Sequence, residues 1–314
     1  MDPYVISIPW IFRKLIVSCF ILPFRPRSTA EAYKTIWLEE GSPLLFYTKR
    51  LCQQLEKKYD LNIEIAMRYG TPSISEALES FEKRHIQNLH ILPLYPQFCD
   101  ATVTTSINEV IKKNHQQANL SIVSPFYSSE EFIRSSKSVI AENLPVEFDH
   151  LLFSYHSLPE SQIKKSDPTG NHCLANQNCC SIDLDSNEYC YRRQCLTTSR
   201  LIAHALKLSN SKYSSSFQSK LGPIPWLKPS TEEILGDLAR SGIQKLVVAC
   251  PSFVADNLET LEEIGKRGKE TFINAGGQDL ILIPCLNDHP DWVAGLGKLL
   301  TNHSSKEAKA VTSE

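Results

Sequence analysis

Short apolar runs alternate with stretches of helical spacing along most of this chain, and that alternation restricts the fold more than any other feature. The runs fall at 61–67, 89–94 and 120–124 in the first half, and at 151–155, 212–218, 245–250 and 280–284 in the second. Helical spacing fills the intervals at 29–37, 44–59, 74–81, 103–113 and 130–143, then at 196–206, 232–240 and 258–271. A run such as Leu151, Leu152 and Phe153, continuous and closed by Pro159, suits a strand covered on both faces. Strand, helix and strand in succession form βαβ units, which give a parallel sheet. The expected class is α/β, with three strands read in the first half and four in the second. At 314 residues the chain has room for two units. The division expected is 1–149 and 150–301, the second ending in a closing helix, with a disordered polar tail at 302–314.

Ligand sites of open α/β sheets gather beyond the carboxyl ends of the strands, so residues leaving those ends are the candidates. His156 leaves the 151–155 run. The 245–250 run leaves through Pro251 and reaches Asp256, Glu259 and Glu263. On a helix these three carboxylates share one face. Such a face is either solvated acidic surface or a row of carboxylates on the same rim as His156. Alone, His156 would equally serve to hydrogen-bond a loop; beside carboxylates it could bind Fe²⁺ or relay protons. Between them, 216–229 (SFQSKLGPIPWLKP) is a proline-stiffened loop. Its Trp226 is either a core staple or a wall for a flat aromatic ligand.

A net charge of −2 with both signs interspersed gives no reason to expect nucleic acid, and there is no glycine-rich phosphate loop. Five of the ten cysteines crowd into 167–195: Cys173, Cys179, Cys180, Cys190 and Cys195. Four thiolates can hold a [2Fe–2S] cluster or zinc, although the spacing is not that of a zinc ribbon, and free thiols are the remaining reading. Disulfides do not suit a reducing cytosol. Cys19, Cys52, Cys99, Cys250 and Cys285 are scattered and read as structural. Segment 8–24 is strongly apolar, but its uninterrupted part, 15–24, is too short to cross a bilayer core of about 30 Å. It lacks the basic start and cleavage site of a signal peptide. It reads as a buried or interfacial helix of a cytoplasmic protein, with peripheral contact at an inner-membrane surface left open.

SYHSLP at 154–159, SFQSKLGPIPWLKP, FVADNLETLEEI at 253–264 and PCLND at 284–288 together resemble the ferrochelatases, which insert Fe²⁺ into a porphyrin to make haem. LPFRPRSTAEAYKTIW, EEGSPLL, RYGTPSI and LPLYPQ extend the resemblance through the first half, from about Pro3 to about Leu300. The resemblance implies two Rossmann-like lobes with parallel four-stranded sheets and a porphyrin in the cleft between them. It implies His156 and Glu259 as the catalytic pair and Fe²⁺ contacts, with Asp256 and Glu263 continuing an acidic path. Arg68, Tyr69, Tyr95, Trp226 and Tyr33 would line the porphyrin. Some bacterial members carry an internal cysteine-rich segment with a [2Fe–2S] cluster. That similarity implies Cys173, Cys180, Cys190 and Cys195 as its ligands here, with Cys179 the alternative.

Two departures accompany the resemblance. The family's opening strand and loop, of the LLVNLGTP type, has no counterpart, so the first lobe is expected to lack its first strand. Ser157 stands where the family has glycine. Two alternatives remain at this stage: coproporphyrin as the substrate, or a porphyrin- or haem-binding module without catalysis.

Overall fold

The computed structural model describes residues 25–311, apart from 177, 182, 183, 185 and 186, with side chains described over 29–301. Segment 8–24, on which the membrane expectation rests, and the region of the expected missing strand lie outside the described residues.

The first half runs α1 (Arg25–Lys34), α2 (Pro43–Tyr59), α3 (Ile74–Lys83), β1 (Asn88–Ile91), a π-helical turn (Asp100–Thr104) leading into α4 (Thr105–Lys113), β2 (Asn119–Ile122) and α5 (Glu130–Asn143). The second half runs β3 (His150–His156), α6 (Glu160–Lys165), α7 (Tyr191–Ala205), β4 (Tyr213–Gln218), α8 (Thr231–Arg240), β5 (Lys245–Ala249), a π-helix (Glu259–Gly268), α9 (Lys269–Asn274), β6 (Asp279–Leu282) and α10 (Pro290–Val311). Local chemistry sets several boundaries. Ser42 and Ser129 cap α2 and α5 through their hydroxyls, and Ser73 with Glu76 forms a capping box on α3.

The second-half sheet is four-stranded and parallel, in the order β4-β3-β5-β6. Its two faces explain why β3 reads as continuously apolar. Leu151, Phe153 and Tyr155 point into one core with Val247 and Ala249 of β5. Leu152 points into the opposite core with Leu246, Val248, Leu235, Ile264 and Phe272. All four of these β3 residues have no exposed surface, and each large side chain so buried contributes about 1.5–3 kcal/mol. The main core also crosses the midpoint of the chain, from Leu51 and Leu55 in α2 through Phe126 and Phe132 to Trp292 in α10. Phe126 and Phe132 lie 5.7 and 6.0 Å from the Trp292 ring.

Four expectations are corrected. The first-half sheet has two strands among the described residues, β1 paired with β2, not three or four. Residues 61–67 make only the single bridge Met67–Ser73, because no strand among the described residues runs beside them. Their side chains serve other contacts: Ile63 packs on the core, and Glu64 accepts from Ser80. The helix expected over 258–271 is π-helical in its first part, a wider turn that a period of 3.6 cannot anticipate. The helix expected from 196 starts at Tyr191, which puts Cys195 inside it. Finally, helical backbone continues to Val311, past the expected start of the tail, where Lys306, Glu307, Ala308 and Lys309 are good helix formers with no glycine or proline to stop them.

Candidate active site

His156 is the last residue of β3, paired in register with Gln218 at the end of β4. By the two-residue period of a strand it continues the Leu152–Ser154 face, the face on which the π-helix packs through Ile264. Its backbone is fixed from both sides. The His156 N–H donates to the Ser252 hydroxyl at 3.1 Å, and its carbonyl accepts from the Tyr191 hydroxyl at 2.8 Å. The ring Nδ1 lies 2.7 Å from the Ser157 carbonyl. A carbonyl only accepts, so the neutral ring carries its proton on Nδ1 and keeps a lone pair on Nε2. No partner for Nε2 lies among the described residues, and the ring is half-buried.

Gln218 joins this histidine to the carboxylates. Fully buried, it accepts from Ser154 at 2.6 Å and donates through Nε2 to the Glu259 carbonyl at 2.7 Å. His156 and Glu259 therefore flank one glutamine. The half-buried Glu259 carboxylate has no hydrogen-bond partner among the described residues. Tyr33 of α1 stands close by. Burial raises its phenol above the ordinary value, and the Glu259 charge raises it further. Lys266 holds α1 to the π-helix by donating to the Thr35 carbonyl at 2.7 Å.

The three carboxylates are not equivalent. Glu263 accepts from the Ser219 N–H at 2.8 Å and the Ser219 hydroxyl at 2.5 Å, which anchors the start of the 219–229 loop. Asp256 is buried and accepts from Thr260 at 3.0 Å, Asn287 at 2.7 Å and the Cys285 N–H at 3.3 Å. It precedes the π-helix, whereas Glu259 and Glu263 both belong to it. Trp226 donates to the Leu221 carbonyl at 3.0 Å and closes its loop, while Leu221 and Ile224 stay exposed. The loop in turn joins the strand exit, since Leu227 donates to the Leu158 carbonyl and Glu160 to the Pro225 carbonyl.

A second group comes from the first half. The Arg68 guanidinium bonds the Thr105 hydroxyl at 2.9 Å and lies 4.6 Å over the exposed Tyr69 ring. Burial raises the Tyr95 phenol, and the Arg68 charge opposes that rise. The chain leaving Tyr95 reaches the second half directly. Gln97 donates to Thr198 and to the Pro251 carbonyl, and the Phe98 N–H donates to Gln194 at 2.6 Å.

The cysteine segment packs beside this junction, with Phe98 against Tyr189 at 5.3 Å. Asp167 organises its start by accepting from Thr169, His172 and Cys173 N–H groups at 2.9, 2.7 and 2.8 Å, which holds its carboxyl well below the usual range. Cys179 and Cys180 sulfurs are 3.7 Å apart. The Arg192 guanidinium donates to the Cys180 sulfur at 3.3 Å, and the Leu174 N–H donates to the Cys179 sulfur at 3.3 Å. Burial pushes the Cys173 and Cys179 thiols up; a hydrogen bond to Cys190, then burial, does the same to Cys180. Cys195 differs from the other four, because its thiol lies against the Tyr191 hydroxyl inside α7. As they stand, no three His, Cys, Asp or Glu among the described residues are spaced to hold a metal ion.

Comparison with known proteins decides the family. The ferrochelatase family model matches residues 1–304. The chain is 46% identical over 304 residues to the ferrochelatase of Pseudomonas fluorescens strain Pf0-1, covering 95% of this chain and 89% of that one. It is equally identical, 46% over the same shares, to that of Stutzerimonas stutzeri, and 44% identical to that of Pseudomonas entomophila over 96% and 91%. The chain belongs to the ferrochelatase family. It is a metal chelatase, and iron and porphyrin are the family's substrates. Its fold is that of the chelatases: SirB from Bacillus subtilis, solved with Fe³⁺, superposes with a TM-score of 0.57 at 13% identity, covering 86% of this chain and 94% of that one. The sirohydrochlorin chelatase SirB solved with cobalt gives 0.54 at 12%, covering 85% and 94%.

The candidate site also includes residues that sequence reading passed over. Gln218 lay inside a motif already singled out, but nothing in its spacing marked it as the link between His156 and Glu259. Ser252, Tyr191 and Ser219 act through single hydrogen bonds, which leave no pattern in a sequence. Asp167 had a local signal: DPTGN is turn chemistry, with a carboxylate placed to cap the following N–H groups.

Proposed function

We infer that this chain inserts Fe²⁺ into protoporphyrin to give protohaem, the last step of haem synthesis. The observation that carries the reading is the His156 ring at the end of β3, held through Nδ1 by the Ser157 carbonyl so that the Nε2 lone pair is left for a ligand. Free-base porphyrin must lose two N–H protons as the metal enters. A half-buried neutral imidazole accepts a proton near neutral pH, a contribution of about 10²–10⁴-fold in general acid–base catalysis. Glu259, next to it, offers a charge for the metal or a site for the departing proton, and Glu263 continues the acidic row. In this reading Asp256 shapes the rim from within, through its bonds to Asn287 and Thr260. Arg68, Tyr69 and Tyr95 on one side, and Tyr33 and Trp226 on the other, line a cleft between lobes 1–149 and 150–301, where a flat macrocycle would be gripped and bent.

The cysteine segment fits a [2Fe–2S] cluster in donor type and number: four cysteines in one segment, with the Cys179 and Cys180 sulfurs 3.7 Å apart and Leu174 and Arg192 donating to them. Its holders would be Cys173, Cys179, Cys180 and Cys190, with Cys195 kept by Tyr191. When bound, the cluster supplies a compact covalent brace and a one-electron centre. The four cysteines would hold it as thiolates, their protons released to solvent. Segment 8–24 fits a peripheral contact with a membrane surface on the cytoplasmic side; no helix among the described residues is long and apolar enough to cross a membrane.

The experiment is anaerobic Fe²⁺ insertion by the purified chain, with protoporphyrin and coproporphyrin offered separately. Faster turnover of protoporphyrin supports the reading; preference for coproporphyrin moves the substrate, and binding of either without insertion leaves a porphyrin-binding module. A visible iron–sulfur spectrum with about two irons per chain supports the cluster, and colourless, active protein contradicts it.

A further inference from the structure

Between His156 and the cysteine segment lies a direct mechanical connection. Cys190 is the N-cap residue of α7, and Tyr191 follows it as the first residue of the helix. The Tyr191 hydroxyl donates to the His156 carbonyl at 2.8 Å, from a side chain that is 6% exposed. The peptide that carries this carbonyl is held at its other end as well, where the Ser157 N–H donates to the Gln218 carbonyl at 2.7 Å. The imidazole depends on the same short segment, because its Nδ1 bonds the Ser157 carbonyl. A rotation of the 156–157 peptide therefore turns the ring and redirects Nε2. Water cannot replace a lost phenol bond in so buried a place, so the peptide is left with the Ser157 N–H bond alone to keep its angle.

We propose that Tyr191 is a positioning residue through which the cysteine segment sets the aim of the His156 ring, so that the state of the segment is felt in the metal-insertion step. The cysteines hold the start of α7, α7 holds the phenol, and the phenol holds the histidine peptide. This rests on His156 as the proton or metal acceptor. It gives the segment a role in catalysis that requires no electron to pass from it to the porphyrin.

The test is a cycle of Tyr191→Phe, Cys180→Ser and the double variant, prepared as holoenzyme. Tyr191→Phe removes only a hydroxyl. It is expected to lower kcat three- to tenfold, as the loss of one hydrogen bond allows, with porphyrin KM and any visible iron–sulfur spectrum unchanged and the thermal midpoint lowered by only a few degrees. Cys180→Ser should lower kcat at least as much, and adding Tyr191→Phe to it should cost nothing more. Native kcat in Tyr191→Phe, or effects of the two changes that multiply, overturns the proposal. If Cys180→Ser does not fold, Arg192→Gln, which withdraws the guanidinium from the Cys179 and Cys180 sulfurs, takes its place in the cycle. The ¹⁵N-labelled His156 ring signals, assigned against His156→Ala, give a readout apart from turnover. They should shift in Tyr191→Phe, and unshifted signals overturn the proposal whatever the rates. An inactive native chain with shifted signals overturns the functional reading and leaves the positioning role standing.

Discussion

Gln218 shows how one side chain can organise a site without touching a substrate. Its amide ends serve Ser154 and the Glu259 carbonyl, while its backbone carbonyl takes the Ser157 N–H. Replacing it with alanine leaves the strand ladder intact but removes the side-chain donor to the Glu259 carbonyl and one of the two partners of the buried Ser154 hydroxyl. A loss of about 2–3 kcal/mol is expected, read as a lower urea midpoint together with slower insertion. His150, the first residue of β3, makes a different prediction. Burial pushes its pKa below the ordinary value, and its Nε2 bonds the Ser214 hydroxyl at 2.8 Å. The unfolded chain then binds the proton first. Stability from this group is complete above about pH 6.5 and is lost as pH falls through that value toward the lower folded pKa. His150→Gln should flatten the loss of urea midpoint between about pH 6.5 and 5; an unchanged slope would show that His150 is not its source. At this scale the sequence marked the residues that carry obvious chemistry: His156, Glu259 and the cysteines. It did not mark the residues that aim them, since a serine or glutamine acting through one hydrogen bond looks like any other.

Among elements, the β3 strand was the most legible and the π-helix the least. A strand buried on both faces must be continuously apolar, and Leu151 to Tyr155 meets that demand on each side of the sheet. The π-helix from Glu259 to Gly268 shares its composition with any amphipathic helix, so only its coordinates reveal the wider turn. The 61–67 stretch misled for the reverse reason: its alternation is that of a strand, but a ladder needs a neighbour as well as a pattern. At the start of the cysteine segment no strand ladder orders the backbone among the described residues 167–173, and Asp167 stands in for one by gathering three N–H groups. Asp167→Ala should therefore lower the iron bound per chain and shorten the lifetime of the visible spectrum in air, with little change in the far-ultraviolet circular dichroism. Full iron content in that variant would mean that the cysteines order themselves without it.

The whole molecule places its chemistry where two surfaces meet. Arg68, Tyr69 and Tyr95 come from the first half, and His156, Glu259 and Trp226 from the second; Gln97 and Phe98 cross between them to Pro251, Thr198 and Gln194. The core shared by α2, α5, β3 and α10 joins the two halves, so the cleft proposed between them would be a product of packing and not of any single motif. That is why class and topology of the second half could be read from patterning, while the geometry of the site could not. The central claim is that the free Nε2 of His156 serves metal insertion. Its most direct test is the anaerobic rate of Fe²⁺ insertion into protoporphyrin by His156→Ala beside the native chain, with thermal midpoints compared. The account predicts a loss of about 10²-fold or more with the fold retained. Turnover within a few-fold of native would contradict it.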